Sequence, residues 1–195
     1  MNIALVKELR ARTQASLSDC QRTLQEAGGD LEKAIKLLRT RGKTIAAQKM
    51  GRTASSGIIE AYIHGTGALG VLVELRTETD FVARSEQFKA LAHDLALHIA
   101  AAAPHYMHRE DIPREIIDEE KKIIAQEFEK SGKSSQVIEK IAEGKIAALA
   151  KEIVLMEQEF VKNPDQTVSE VIAEAVGKFG EKIEIGRFAR IAVGE

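Results

Sequence analysis

The sequence predicts an α+β protein: a small three-helix module at the N-terminus, joined to a core in which a three-stranded antiparallel sheet packs against several helices. Three observations carry this prediction. Apolar residues recur at helical spacing through residues 2–40 and again through most of 80–179. Two β-branched runs flank Gly65-Thr66-Gly67-Ala68, and a third alternating run lies near the C-terminus. Aromatic residues make up only 4% of the 195 and Trp is absent, a bias toward helix and away from an all-β sandwich.

The first helix carries Ile3, Val6, Leu9 and Arg10 at helical spacing. Ser16, followed three residues later by Asp19, predicts the cap of a second helix with Leu17, Cys20, Leu24 and Ala27 on one stripe. Gly28-Gly29 stops it, because glycine readily takes the left-handed conformation of a helix end. Asp30 caps a third helix showing Leu31, Ala34, Ile35 and Leu38, with Gly42 after it. Residues 1–42 therefore form one module. Residues 43–56 read as a basic linker ending in Thr53-Ala54-Ser55-Ser56, and 57–195 as the core. Ile58–His64 and Leu69–Leu75 are strands joined by hairpin chemistry at 65–68. A single helix is predicted from Asp80 to Ala102, burying Phe88, Leu91, Leu95 and Ile99 and ended by Pro104. A charged helix follows Pro113 to Lys130, then a loop at 131–135. An amphipathic helix over 136–155 carries a candidate break at Gly144. Asn163-Pro164-Asp165 is a turn, 167–179 a last helix ended by Gly180, and Lys182 to Val193 the third strand. There is no tandem repeat and no low-complexity tract.

Composition bounds function. The net charge is −2, whereas a protein built chiefly to grip a phosphate backbone is usually basic. One cysteine, Cys20, excludes an intramolecular disulfide and a multi-cysteine metal site. No apolar run approaches the roughly 18 residues of a membrane span. Lys7 and Glu8 come too early for a signal peptide, so a soluble, cytoplasmic protein is expected.

Several motifs tempt without holding. Gly65-Thr66-Gly67-Ala68-Leu69-Gly70 spells G-x-G-x-x-G, but Val71-Leu72-Val73 continue as strand where a dinucleotide site needs a helix N-terminus. Gly42-Lys43-Thr44 ends like a P-loop, yet the required earlier glycine is Leu37. His105 and His108 have a metal-compatible spacing but no third ligand, and no metal or cofactor is expected. Cys20 lies on an apolar stripe and reads as a packed small hydrophobe. No catalytic constellation emerges. The basic run Lys33, Lys36, Arg39, Arg41, Lys43, Lys49, Arg52 is either a solvated face or a contact for an acidic partner or RNA.

The most informative stretch is Glu74-Leu75-Arg76-Thr77-Glu78-Thr79-Asp80-Phe81-Val82-Ala83-Arg84. A strand runs out through Thr77 and a helix begins near Asp80, with Thr79 as N-cap and Asp80 favoured by the helix dipole. Phe81 lies seven residues before Phe88, so it fits either the start of the core stripe or an exposed anchor for a partner's pocket. Asp80, if exposed, can compete for a partner's Mg²⁺ site.

Thr79-Asp80-Phe81-Val82-Ala83-Arg84 resembles the T-D-F-V-[AS]-[KR] motif of bacterial elongation factor Ts. Leu5-Val6-Lys7-Glu8-Leu9-Arg10, Thr13, Asp19-Cys20 and Ala27–Ala34 resemble that family's ubiquitin-associated-like helical module, and Phe160-Val161 and the stretch from Val168 also fit. The sequence departs from the family in having Leu17 and Ser18 where two Met are common, Gln21 for Lys, and Arg76-Thr77 for Asn-Cys. It is similar to the short class with one copy of the core.

The resemblance implies a non-enzymatic guanine-nucleotide exchange factor. It implies that Thr79, Asp80, Phe81 and Val82 enter the G domain of elongation factor Tu, disturb the Mg²⁺ and phosphate site and release GDP. It also implies that Arg10, Leu17 and Ser18 hold the other side of that domain, that Arg84 anchors the motif, and that two copies pair as a homodimer. No direct nucleotide binding and no membrane contact are implied. The alternative is a non-catalytic scaffold for RNA or nascent chains using the basic run.

Overall fold

The computed structural model describes residues 2–13, 15–128 and 134–195. Most of the predicted loop at 131–135, the predicted helix end at Lys130 and Gln14 lie outside these residues. The chain forms two compact units, Met1–Leu97 with Ser169–Glu195, and His98–Val168. Among the described residues it is mixed α and β, with eight α-helices and an antiparallel three-stranded sheet.

The first unit begins with α1 (Ile3–Thr13), α2 (Leu17–Glu26) and α3 (Leu31–Lys49). Both predicted caps form. Ser16 Oγ accepts from the Asp19 amide at 3.1 Å, and Asp30 Oδ1 from the Lys33 amide at 2.9 Å, each worth about 1 kcal/mol. Val6, Leu9, Cys20, Leu24, Ala27 and Ala34 make a small buried core. The third helix does not stop at Gly42; it continues to Lys49, so much of the basic stretch is helical. The reason is packing. A Cβ at Gly42 would stand 3.1 Å from the Ala173 carbonyl, so this glycine admits a neighbouring helix rather than ending its own.

Strands β1 (Ser56–His64) and β2 (Leu69–Thr77) form the predicted hairpin, with Gly65 and Gly67 at φ 52° and 90°. The third strand of that sheet, Ile183–Ala192, pairs antiparallel with β2, giving β2 the centre. Val71, Val73 and Leu75 on one face of β2 are buried, whereas Leu72 on the other face is exposed, the alternation expected of a half-buried strand. The predicted helix from Asp80 to Ala102 is two helices, α4 (Asp80–Ala83) and α5 (Glu86–Ala102). Ser85 makes the break: its hydroxyl donates to the Val82 carbonyl at 2.8 Å, and its oxygen accepts from the Phe88 amide at 3.3 Å. Ala103, at φ 44°, and Pro104 end α5.

The second unit holds α6 (Arg114–Phe128) and α7 (Ser135–Ile153), around a cluster of Ile112, Ala150 and Val154. Gly144 does not break α7; its surroundings are open and the helix absorbs its cost of about 1 kcal/mol. Asn163-Pro164-Asp165 is not a turn. It begins β4 (Asn163–Thr167), which pairs with β3 (Glu159–Phe160). A two-stranded ladder has only edges, where a proline is tolerated. The chain then forms α8 (Val168–Phe179), ends it with Gly180 at φ 69°, and enters the sheet as β5, the strand over Ile183–Ala192. In the first unit Phe88 meets Phe179 edge-on, ring centroids 6.0 Å apart. No helix among the described residues is long and apolar enough to cross a membrane.

Candidate functional site

The corner between β2 and α4 is built from the residues the sequence singles out. Thr79 has extended backbone (φ −124°, ψ 155°) and caps α4, its hydroxyl oxygen facing the Val82 amide at 3.4 Å. Asp80 opens the helical turn and pairs with Arg84 at 2.8 Å, both side chains well exposed. Val82 and Ala83 are buried and hold the turn from beneath. Phe81 is 83% exposed, so it is not part of the core stripe that begins at Phe88. Thr79, Asp80, Phe81 and Val82 thus share one corner, with Phe81 outward and Val82 inward.

A residue that sequence reading missed completes the corner. The Glu181 carboxylate accepts the Thr77 hydroxyl at 2.7 Å, the Thr79 hydroxyl at 2.7 Å and the Thr79 amide at 3.0 Å. Glu78 answers it, accepting the Lys182 amide at 2.6 Å and the Arg52 guanidinium at 3.3 Å. Burial pushes the Glu181 carboxyl up, but the hydrogen bonds from Thr79, Thr77 and the backbone outweigh it and leave the pKa below the ordinary carboxylate value. The Lys182 amide, opposed by burial and helped by Arg52, lowers that of Glu78. No local pattern announces Glu181; a carboxylate after a helix-ending glycine reads as surface.

The other candidates separate clearly. Arg10, Leu17 and Ser18 are all exposed, on α1 and the start of α2. Cys20 is fully buried, and burial raises its pKa, so it is a packed thiol. Gly65–Gly70 is a hairpin turn running into a strand. Among the described residues no three His, Cys, Asp or Glu side chains gather as a metal site would require. His98, buried in the second unit, is held by Gln158 at 3.0 Å and the Val161 amide at 3.3 Å. Much of the basic run is spent within the chain: Arg41 pairs with Glu26, Lys43 with Glu170 and Arg52 with Glu78.

The corner thus holds an exposed aromatic ring on a capped turn backed by buried residues. Residues 3–195 match the family model described as Elongation factor TS. Proteins named Elongation factor Ts from Carboxydothermus hydrogenoformans and Desulforamulus reducens are 51% and 47% identical over 191 and 195 residues. These alignments cover 98% and 100% of this chain and 88% and 90% of those proteins. The one from Caldanaerobacter subterraneus is 48% identical over 97% of this chain and 95% of its own length. The chain belongs to the elongation factor Ts family.

Proposed function

We propose that this protein is a cytoplasmic guanine-nucleotide exchange factor: it binds elongation factor Tu carrying GDP and promotes GDP release, allowing GTP to reload. The observation that carries the reading is Phe81, 83% exposed at the capped corner of a chain from this family. Phe81 enters the partner's G domain as a wedge. Asp80 and Thr79 bring a carboxylate and a hydroxyl toward the Mg²⁺ and phosphate region, and Val82 keeps the turn in shape. Arg10, Leu17 and Ser18 engage the opposite side of that domain through the module at 1–42. The factor performs no bond chemistry of its own and needs no cofactor.

The energetics are those of linkage. If the factor weakens GDP, GDP must weaken the factor by the same ratio. Each 1.4 kcal/mol of coupling is about tenfold in affinity. The intrachain pairing of Arg41, Lys43 and Arg52 weighs against the alternative of an RNA or nascent-chain scaffold.

The reading includes a homodimer. The outward face of the sheet carries Ile59, Ile63, Leu72 and Ile191, all more than half exposed. Their strands are paired in register, so these side chains form a continuous apolar surface. A second copy presenting the same face would cover it by two-fold symmetry.

The test is dissociation of a fluorescent GDP from elongation factor Tu, chased with excess unlabelled GDP. Strong acceleration at substoichiometric amounts of this protein is expected. No acceleration at saturation, with a cognate partner and folded protein, rejects the reading.

A further inference from the structure

We propose that Glu181 is the positioning residue of the exchange corner: it fixes the direction of Phe81 by clasping Thr77 and Thr79 from the far end of the chain. The inference rests on the exchange reading. It starts from what α4 lacks. The helix has four residues, and a single turn in water has no stability of its own because nucleation costs more than one turn returns. Phe81 is itself 83% exposed, so packing on its own ring does little to orient it. The Asp80–Arg84 pair is solvent-exposed, and such pairs contribute little. The direction of Phe81 must therefore come from the supports at the two ends of the turn.

Beneath the turn lie Val82 and Ala83, both buried. At its start stands Thr79, and three hydrogen bonds reach the Glu181 carboxylate from Thr77 and Thr79. Bonds to an ionised acceptor are the strong kind. They fix the rotamer of Thr79, and with it the hydroxyl that faces the Val82 amide. Glu78 and the Lys182 amide close the same junction from the other side. Glu181 is placed for this between Gly180, where α8 ends, and the start of β5 at Ile183. Lys49, at the end of α3, donates to the Gly180 carbonyl, and Arg52 reaches Glu78. The N-terminal module is thus tied to the junction that aims the wedge.

The test is a double-mutant cycle of E181A and F81A in the GDP-release assay, with thermal melts and hydrogen exchange of the free proteins. E181A is expected to lose at least about tenfold in the catalysed rate, since slight misplacement of a positioned group is costly. Its Thr79 and Val82 amides should exchange faster than in the parent. In the F81A background E181A should cost little more, because a positioning residue acts through the group it positions. E181Q keeps the shape and part of the acceptor capacity, and should recover part of the rate even if E181A folds poorly. An E181A protein that is folded and fully active overturns the inference, as does one whose loss is equally large without Phe81. In both cases the parent still accelerates release, so the exchange reading survives. A parent that gives no acceleration rejects that reading and this role together.

Discussion

Replacing Phe81 by alanine tests the anchor most directly, because the structure sets both sides of the comparison. A phenylalanine presents roughly 200 Å². With 83% of Phe81 open, roughly 165 Å² is free for a partner and about 35 Å² is covered by the chain. At about 25 cal/mol per Å², the covered part is worth about 1 kcal/mol and the free part up to about 4 kcal/mol. Alanine is also the better helix former, by about 0.5 kcal/mol, which offsets half of the small folding loss. The melting temperature of Phe81→Ala should therefore move by no more than about 2–4 °C. In GDP release from elongation factor Tu, a hot spot of at least about 2 kcal/mol predicts a catalysed rate about 30-fold lower. The reasoning fails if the variant loses the roughly 3–5 kcal/mol of stability expected of a truncated core phenylalanine. It fails equally if a folded variant exchanges as fast as the parent.

Three other outcomes follow from the geometry. Leu72→Asp places a charge at the centre of the outward sheet face; light scattering after gel filtration should show a dimer for the parent and a monomer for the variant, with helix content unchanged. His98 is buried, and burial lowers its pKa although its bond with Gln158 opposes this. The Gln158 amide nitrogen donates to the Ala102 and Glu152 carbonyls, so its oxygen accepts from Nε2–H of His98 while Nδ1 receives the Val161 amide. The unfolded chain then takes up a proton first as pH falls, so stability is full above the ordinary value of 6.5 and declines below it. Urea unfolding at pH 7.5 and 5.5 should show that decline, and His98→Gln should flatten it. Gly57→Ala would set a Cβ 2.3 Å from the Leu75 carbonyl oxygen, backbone against backbone. It should cost about 1–3 kcal/mol, read by urea unfolding.

Much of the fold is legible where short-range chemistry decides. Ser16, Asp30 and Thr79 cap helices in the sequence and in the structure, because a capping side chain reaches only two or three residues along. The hairpin at Gly65–Ala68 and the stop at Gly180 are equally local, since they depend on which residues tolerate positive φ. The motif around Phe81 is legible as well, and with it the family.

Only the tertiary structure decided whether Phe81 is buried in the core or exposed. Its spacing from Phe88 suits a continuous helix, but the helix breaks at Ser85 and the Phe81 ring lies exposed. Gly42 could be recognised as a helix stop or as a point of close approach only once Ala173 stood beside it. Glu181 lies 102 residues from Thr79 along the chain, and nothing in either neighbourhood names the other. Caps, turns and periodicity are determined by a few adjacent residues and can be read from the sequence alone. Which face is covered, and which distant carboxylate holds a corner, is determined by chain closure, which brings together groups that no local pattern relates.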